Sequence, residues 1–141
     1  MPTRNATATW EGGLQKGKGR FEGESGVIKG TYSFGTRFGA EKGTNPEELL
    51  AAAHAACFSM ALSVGLEAAG KTATSVETRA ACTVEKVGES FKITTMKLDV
   101  RAKVPNIEKA AFQQVLEGAK KGCPVSNALA GVKIEVQSQL V

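Results

Sequence analysis

NPEELLAAAHAACFSMALSVGLEAAG, residues 45–70, is the stretch that decides the fold of this chain. It predicts one long helix, because Asn45 is a favourable N-cap, Pro46 fits the first helical position and Gly70 is a favourable stop. Two glutamates fall in the first turn, where negative charge suits the helix dipole. Between these ends the helix is alanine-rich and apolar on almost every side, which is typical of a buried helix.

The length of this helix predicts a partner subunit. At the usual rise per residue it would be about 35 Å long. A single small domain has too little chain to cover such a rod on all its faces, so we expect a second subunit to cover part of it.

Length and composition predict one soluble domain over residues 1–141. The chain has 141 residues, 42% of them hydrophobic and 23% charged, which suits a globular domain with a modest core. The apolar stretch is not expected to span a membrane, since His54 lies inside it and glutamates lie near both ends. The first ten residues contain no apolar signal region, so a cytoplasmic location is expected.

Charge and cysteine content argue against several kinds of partner. The net charge of +4 is mild, and the lysines and arginines are scattered without interleaved aromatic residues, so no nucleic acid is expected. The three cysteines form no CxxC pair, and there is only one histidine. Neither a disulfide framework nor a structural zinc site is therefore expected, and no cofactor is implied.

The remaining segments predict an α+β chain with the order β-β-β-α-β-β-α-β. Residues 6–37 read as three short antiparallel strands, the last ending near residues 36–38, and residues 76–87 and 91–102 read as a strand pair. A change of phase near Thr94 and Thr95 predicts a bulge. Asn106 is the expected cap of a second helix that runs to Lys121, a short helix begins at Cys123, and residues 132–140 alternate as a closing strand.

Each of the three thiols has an inert interpretation. Cys57 lies mid-helix among alanines and Cys82 alternates with apolar strand residues, so either can be a small core hydrophobe. Cys123 precedes a proline at a helix start, where free N–H groups lower the pKa of a thiol, so a core role and a reactive role both stay open. His54 lies one helical turn before Cys57, which allows a Cys–His pair or a satisfied, partly buried imidazole.

Arg37 lies before the long helix, and Glu47 and Glu48 lie at its start. Ordinary surface charge that complements the helix dipole is one interpretation of these three residues. An Arg–Glu clamp next to a thiolate is the other.

Two separated motifs resemble the OsmC/Ohr family of thiol peroxidases. The first is FGAEKGTNPEELLAAAHAACFSMAL, residues 38–62, and the second is GCPVS, residues 122–126. The likeness extends over nearly the whole chain, and the position of Arg37 just before the helix resembles the osmotically inducible OsmC branch. The resemblance implies an intertwined homodimer, with antiparallel sheets around two long central helices.

The resemblance also implies a role for four residues. Cys57 would be the thiol that attacks the peroxide, Cys123 the resolving thiol, and Arg37 and Glu47 the ion pair that activates Cys57. The implied substrate is an organic hydroperoxide, with hydrogen peroxide a weaker one. The implied partner is an external dithiol reductant, a lipoyl protein being one candidate. Cys82 matches no motif position of the family.

Two other classes of function compete with this interpretation. One is a module that binds a small ligand or nucleic acid, and the other is a hydrolase built on Cys57 and His54. A disulfide between Cys57 and Cys123 after treatment with one equivalent of peroxide would select the peroxidase alone.

Overall fold

The computed structural model describes all 141 residues, which form two compact units, Met1–Leu49 and Leu50–Val141. The first unit holds a three-stranded antiparallel sheet with the order β1-β2-β3. Its strands are β1 Ala6–Glu11, β2 Lys18–Gly23 and β3 Lys29–Tyr32.

A short helix, α1 Phe34–Phe38, follows β3 where the sequence predicted that the strand would continue. That prediction is wrong because of a local capping box. The Ser33 hydroxyl accepts from the Thr36 N–H at 3.2 Å, and the Ser33 N–H donates to Thr36 Oγ1 at 2.9 Å. These two hydrogen bonds satisfy N–H groups that would otherwise pair in a sheet, and they start a helix instead.

The long helix, α2 Pro46–Ala68, is confirmed with both of its predicted ends. Asn45 caps it, since its Oδ1 accepts from the Glu48 N–H at 2.8 Å. Gly70 adopts φ +74°, and the Lys71 N–H donates to the Leu66 carbonyl at 2.8 Å, which satisfies a terminal carbonyl of the helix.

The second unit contains a three-stranded sheet with the order β4-β5-β6. β4 Ser75–Val87 and β5 Ser90–Lys103 are antiparallel, and Thr94 is the extra residue at a register shift, because Thr83 pairs with Thr95 and Val84 with Ile93. The predicted bulge is therefore confirmed.

The expectation of purely antiparallel sheets is corrected by the last strand. β6 Lys133–Leu140 pairs with β5 in parallel, from Thr95↔Lys133 to Ala102↔Leu140. The chain returns through two helices, α3 Lys109–Gly122 and α4 Pro124–Ala128, and a crossover of this kind is what parallel pairing requires.

Helix α3 begins later than the sequence predicted. Asn106 is not its cap, since Asn106 adopts φ +57° in the preceding turn and Glu108 occupies the cap position. Asparagine tolerates the left-handed conformation better than most residues, which explains its place in the turn.

The core of the second unit is formed by one stripe of α2, the inward face of β5 and one face of α3. Its fully buried apolar residues are Phe58, Leu62, Leu66, Met96, Leu98, Val100, Ala102, Phe112 and Leu116. On the opposite face of α2, Met60 is 71% exposed and Val64 59% exposed. Within this chain the helix is therefore buried along one stripe only, not on all sides as its composition suggested.

Helix α2 is also long and apolar enough to cross a membrane by length and composition alone, a test that the core helix of a soluble protein passes as well. The mixed α+β class and the predicted strand and long-helix order are confirmed, as is the short helix predicted at Cys123, which is α4, whereas α1 is an additional short helix. A single domain over residues 1–141 stays a prediction.

Candidate active site

Cys57 and Cys123 lie together although 66 residues separate them in sequence, with their Sγ atoms 3.4 Å apart. Helix α2 supplies Cys57, which is half-buried, and the junction between α3 and α4 supplies Cys123, which is fully buried. A disulfide needs the sulfur atoms to approach to about 2.05 Å. The pair can therefore form this bond by a small movement.

Cys123 is held by the start of α4. Cys123 is both the C-cap of α3 and the N-cap of α4, and Pro124 occupies the first helical position of α4. The Ser126 N–H donates to Cys123 Sγ at 3.5 Å, which holds this sulfur against the first turn of α4.

The two thiols have pKa values shifted in opposite directions. Burial raises the pKa of Cys57, the Val125 N–H opposes this, and the neighbouring Cys123 raises the pKa further. Burial also works to raise the pKa of Cys123, but hydrogen bonding to Ser126, Cys57 and Val125 together outweighs it and the net pKa is lowered. Among residues 50–141 no cation contributes to ionising Cys57.

Next to the thiols lies a buried polar pair, His54 and Ser126. His54 Nε2 and Ser126 Oγ are 2.7 Å apart, and the imidazole is fully buried. The other ring nitrogen, Nδ1, is buried with no hydrogen-bond partner. Burial lowers the pKa of His54, so the ring is neutral at neutral pH. The expectation of a satisfied, partly buried imidazole is corrected on both points.

An apolar cleft of about 520 Å³ opens at Cys57. Helices α2 and α3 form its walls, which are lined by Cys57, Met60, Ala61, Val64, Gly65, Val115, Gly118, Ala119, Gly122 and Pro124. The two helices approach closely at Gly65, where an added Cβ would lie 2.8 Å from Val115 Cγ1. Cys57 is the one thiol that lines this cleft, so its sulfur faces an apolar space of small-molecule size.

In the first unit, Arg37 and Glu47 form a bidentate ion pair. Arg37 donates from Nη2 to Glu47 Oε1 at 2.8 Å and from Nε to the same oxygen at 3.0 Å. The Glu47 side chain is 6% exposed and that of Arg37 is 35% exposed. The Arg37 guanidinium also lies 5.0 Å from the centre of the Phe38 ring. A guanidinium held in this way has a fixed orientation and keeps donors for another anion.

The model of the OsmC-like protein family matches residues 39–137. The chain is 50% identical to Peroxiredoxin OsmC of Escherichia coli over 127 residues, which is 89% of each chain.

This chain belongs to the OsmC family.

More distant members agree with that assignment. An organic hydroperoxide resistance protein of Xanthomonas axonopodis is 34% identical over 90 residues, covering 63% of this chain and 61% of that protein. The crystal structure of the organic hydroperoxide resistance protein OhrB of Bacillus subtilis superposes with a TM-score of 0.76 at 26% identity, over 96% of this chain and 98% of that one.

The OsmC family match includes Glu47, Cys57 and Cys123 and begins two residues after Arg37. Cys82 lies elsewhere, on β4 opposite Met96, half-buried against the core. Glu48 is exposed, and its N–H is the group that Asn45 caps.

Sequence reasoning assigned no role to Ser126 and did not predict the hydrogen bond between His54 and Ser126 in this OsmC family chain. One signal was present for the histidine. His54, Phe58, Leu62 and Leu66 recur every four residues, which places the imidazole on the buried stripe of α2.

Proposed function

We propose that this protein is a thiol peroxidase that reduces organic hydroperoxides through Cys57 and Cys123. The observation that carries the proposal is the 3.4 Å separation of the two Sγ atoms, one half-buried at an apolar cleft and the other fully buried behind it. A nucleophile must be accessible to its substrate, whereas a resolving thiol has only to reach the nucleophile. Membership of a family with relatives named for peroxiredoxin and hydroperoxide-resistance functions supports the same conclusion.

The proposed reaction has three steps. The Cys57 thiolate attacks one peroxide oxygen, the O–O bond breaks, and an alcohol leaves while Cys57 becomes a sulfenic acid. Cys123 then attacks the sulfur of that sulfenic acid, so that a disulfide forms and water leaves. An external dithiol reduces the disulfide and is itself oxidised, which restores both thiols. We propose a lipoyl protein as the first dithiol to test.

The ion pair of Arg37 and Glu47 is proposed to activate Cys57. Burial raises the pKa of Cys57, and no neighbour among residues 50–141 supplies a positive charge, so the thiolate needs a cation from elsewhere. Arg37 is proposed to supply that charge and to stabilise the oxygen that leaves the peroxide. Glu47 keeps the guanidinium in one orientation through the two hydrogen bonds at 2.8 and 3.0 Å.

The cleft supports an organic substrate. Its walls are apolar side chains and glycine, and they leave about 520 Å³ beside Cys57. An alkyl or aryl group would be removed from water in this cleft, which contributes favourable binding free energy. Hydrogen peroxide has no such group and gains none of this free energy. A higher kcat/KM for an organic hydroperoxide than for hydrogen peroxide is therefore expected.

A homodimer is proposed as the active form. Met60 and Val64 are large apolar residues exposed on α2, and Val27 and Ile28 are exposed in the first unit. A second copy of the chain would cover such surfaces at a gain of about 25 cal/mol per Å². A location in the cytoplasm is also proposed, since the mechanism needs thiols that stay reduced between turnovers.

Single-turnover oxidation tests the proposed function. The reduced protein is mixed with one equivalent of cumene hydroperoxide and analysed by mass spectrometry after digestion. The expected product is a Cys57–Cys123 disulfide, with hydroperoxide consumed in equal amount. Cys57→Ser should consume none, and Cys123→Ser should consume one equivalent but stall as the sulfenic acid or a more oxidised form.

Cys82→Ala is the matched control, because Cys82 is a half-buried thiol on β4 that does not line the cleft. It should consume hydroperoxide like the wild type and lose about 1 kcal/mol of stability. Turnover by Cys57→Ser, or loss of turnover in a folded Cys82→Ala, would contradict the proposal.

A further inference from the structure

Helix α4, which carries Cys123 at its start, is only five residues long. A helix of this length is not stable alone, so its position depends on what it contacts. Val125 and Leu129 pack against the core, and the backbone hydrogen bonds of the segment stay within residues 119–132. Apolar contacts have no preferred direction and allow a short helix to shift. The position of α4 therefore needs a directional contact as well.

One directional contact joins α4 to the long helix. His54 Nε2 and Ser126 Oγ lie 2.7 Å apart, and both side chains are buried. They are the only buried polar side chains of the second unit. His54 Nδ1 has no partner, which costs free energy that an apolar residue at this position would avoid. Packing alone therefore does not explain the histidine, whereas a requirement for this one hydrogen bond does.

The bond between His54 and Ser126 is close to a thiol at each of its two ends. On α2, His54 precedes Cys57 by three residues, which is about one helical turn. On α4, the Ser126 N–H donates to Cys123 Sγ at 3.5 Å. The two sulfur atoms are themselves 3.4 Å apart. These contacts form a closed ring, in which the bond between His54 and Ser126 lies opposite the two thiols.

We propose that the hydrogen bond between His54 and Ser126 is a brace that holds Cys123 within reach of Cys57, so that the disulfide forms before a second peroxide reacts. The inference rests on the proposed peroxidase function and adds two positioning residues to it. The brace acts on distance, because the sulfur atoms must close from 3.4 Å to about 2.05 Å. An error of about 1 Å in the approach of two reacting groups can cost about 10²-fold in rate.

Two reactions compete for the sulfenic acid on Cys57. In the first, Cys123 Sγ attacks Cys57 Sγ, the S–S bond forms, the S–O bond breaks, and hydroxide leaves and takes up the thiol proton as water. In the second, a further hydroperoxide transfers an oxygen atom to Cys57, which becomes a sulfinic acid, and the hydroperoxide leaves as an alcohol. The first reaction depends on the position of Cys123, whereas the rate of the second rises with hydroperoxide concentration. The brace therefore sets the concentration at which the protein over-oxidises.

Replacing both partners by apolar residues removes the brace without leaving a buried polar group unpaired. His54→Leu combined with Ser126→Ala does this, and such a replacement is close to neutral for stability or stabilising. It also removes the unpartnered Nδ1. His54→Gln is the conservative variant, because its side-chain amide can still bond to the Ser126 hydroxyl. Ser59→Ala is the matched control, since Ser59 also lies on α2 but its hydroxyl donates to Thr78 Oγ1 on β4 at 2.8 Å.

The test separates the two oxidation steps. Reduced protein is mixed with one equivalent of cumene hydroperoxide without a reductant and quenched with acid at increasing times. Loss of hydroperoxide reports the attack by Cys57, and the disulfide measured by mass spectrometry reports resolution by Cys123. A second series with increasing hydroperoxide gives the concentration at which half of Cys57 becomes a sulfinic acid.

The double variant should keep the first step within about twofold of the wild type and slow the second about tenfold or more, with a Tm at or above that of the wild type. The hydroperoxide concentration for half over-oxidation should fall by the same factor as the second step. Ser126→Ala alone should slow the second step as much as the double variant, since both break the same bond. His54→Gln should recover much of the rate, and Ser59→Ala should match the wild type in both steps.

A second step of wild-type rate in both the double variant and Ser126→Ala overturns the brace. A second step slowed equally in His54→Gln and the double variant, or slowed as much in Ser59→Ala, also overturns it, because the rate would then not follow this hydrogen bond. If the double variant does not fold, Ser126→Ala decides by the same criterion. A wild-type protein that consumes no hydroperoxide would instead refute the peroxidase function.

Discussion

Asn45 donates from its side-chain Nδ2 to the carbonyl oxygen of Thr36 at 2.8 Å while its Oδ1 caps helix α2. One side chain therefore ties the residue before Arg37 to the start of the helix that carries Glu47. We therefore expect the geometry of the ion pair to depend on this link as well as on its own hydrogen bonds.

Asn45→Asp separates the two functions of this side chain. Aspartate is an equally good cap, but it has no N–H to donate to Thr36. We expect a thermal stability close to that of the wild type together with a reduced kcat/KM for cumene hydroperoxide. Asn45→Ala should lose both stability and activity: about 1 kcal/mol of stability from the missing cap, and the same reduction in kcat/KM as Asn45→Asp. Equal activity of Asn45→Asp and wild type would show that the link to Thr36 is dispensable.

Arg37→Lys tests the fork of the guanidinium. Lysine keeps the charge but cannot donate to Glu47 from two nitrogen atoms at once, as Nε and Nη2 of Arg37 do, so we expect kcat/KM to fall about 10²-fold or more. The apparent pKa of Cys57, followed by the pH dependence of its alkylation, should rise. The control is Arg20→Lys, since Arg20 pairs with Glu11 at 3.5 Å on an exposed surface. A wild-type rate in Arg37→Lys would show that catalysis needs only a positive charge at this position and not the shape of the guanidinium.

Mixing two inactive variants tests whether the ion pair serves the thiol of a partner subunit. Glu47 and Cys57 lie ten residues apart on one unbroken helix, which is about 15 Å of rise. We therefore expect each pair to serve the other subunit. Equal amounts of Cys57→Ser and Arg37→Ala, unfolded and refolded together, should then recover about a quarter of the wild-type activity, since half of the dimers gain one complete site.

No recovered activity, in a mixture shown by mass spectrometry to contain heterodimers, would mean that each pair serves its own chain. An active monomer in sizing experiments at the assay concentration would refute the proposal that the active form is a homodimer.

Gly118→Leu tests the cleft as the binding site of the organic group. An added Cβ at Gly118 meets no atom within 4 Å, so the side chain fits the helix and occupies the cleft. We expect kcat/KM for cumene hydroperoxide to fall about tenfold, the effect of losing about 1.4 kcal/mol of binding, while that for hydrogen peroxide stays unchanged. Gly118→Ala is the smaller control and should keep both activities. A parallel loss for both peroxides would argue against the cleft.

The buried histidine predicts how stability depends on pH. Because burial lowers its pKa, the folded chain binds fewer protons than the unfolded chain once the pH falls below the ordinary value of 6.5. The free energy of unfolding should therefore decrease on acidification below that value, by at most about 1.4 kcal/mol per pH unit for one group. His54 is the only histidine, so His54→Gln should flatten this slope in denaturant titrations at a fixed protein concentration. An unchanged slope would assign the dependence to other groups.

The parts of the fold that could be predicted were those in which one local signal decides. Asn45 and Gly70 fixed the ends of α2, and the change in alternation around Thr94 marked the bulge in β5. The helix α1 was missed because its aromatic residues favour a strand, and the exchange of hydrogen bonds between Ser33 and Thr36 outweighs that preference.

The candidate site could be predicted only in part, for a different reason. Motifs indicated the residue types, but alternation does not encode strand direction, so the parallel pairing of β6 with β5 could not be seen. The contact of His54 with Ser126 spans 72 residues, and only the folded chain shows it. Composition also suggested that α2 is buried on every face, a property that one chain does not provide.

The parallel pairing of β5 with β6 has a consequence for biosynthesis. β5 is the central strand of its sheet, yet its neighbour β6 is translated only after α3 and α4. Until Lys133–Leu140 has left the ribosome, one edge of β5 offers unpaired backbone groups beside an apolar face, which is a template for aggregation. Pairing across so long a separation is slow to form. The nascent chain is therefore most vulnerable late in synthesis, and a chain that ends before β6 would expose that edge permanently.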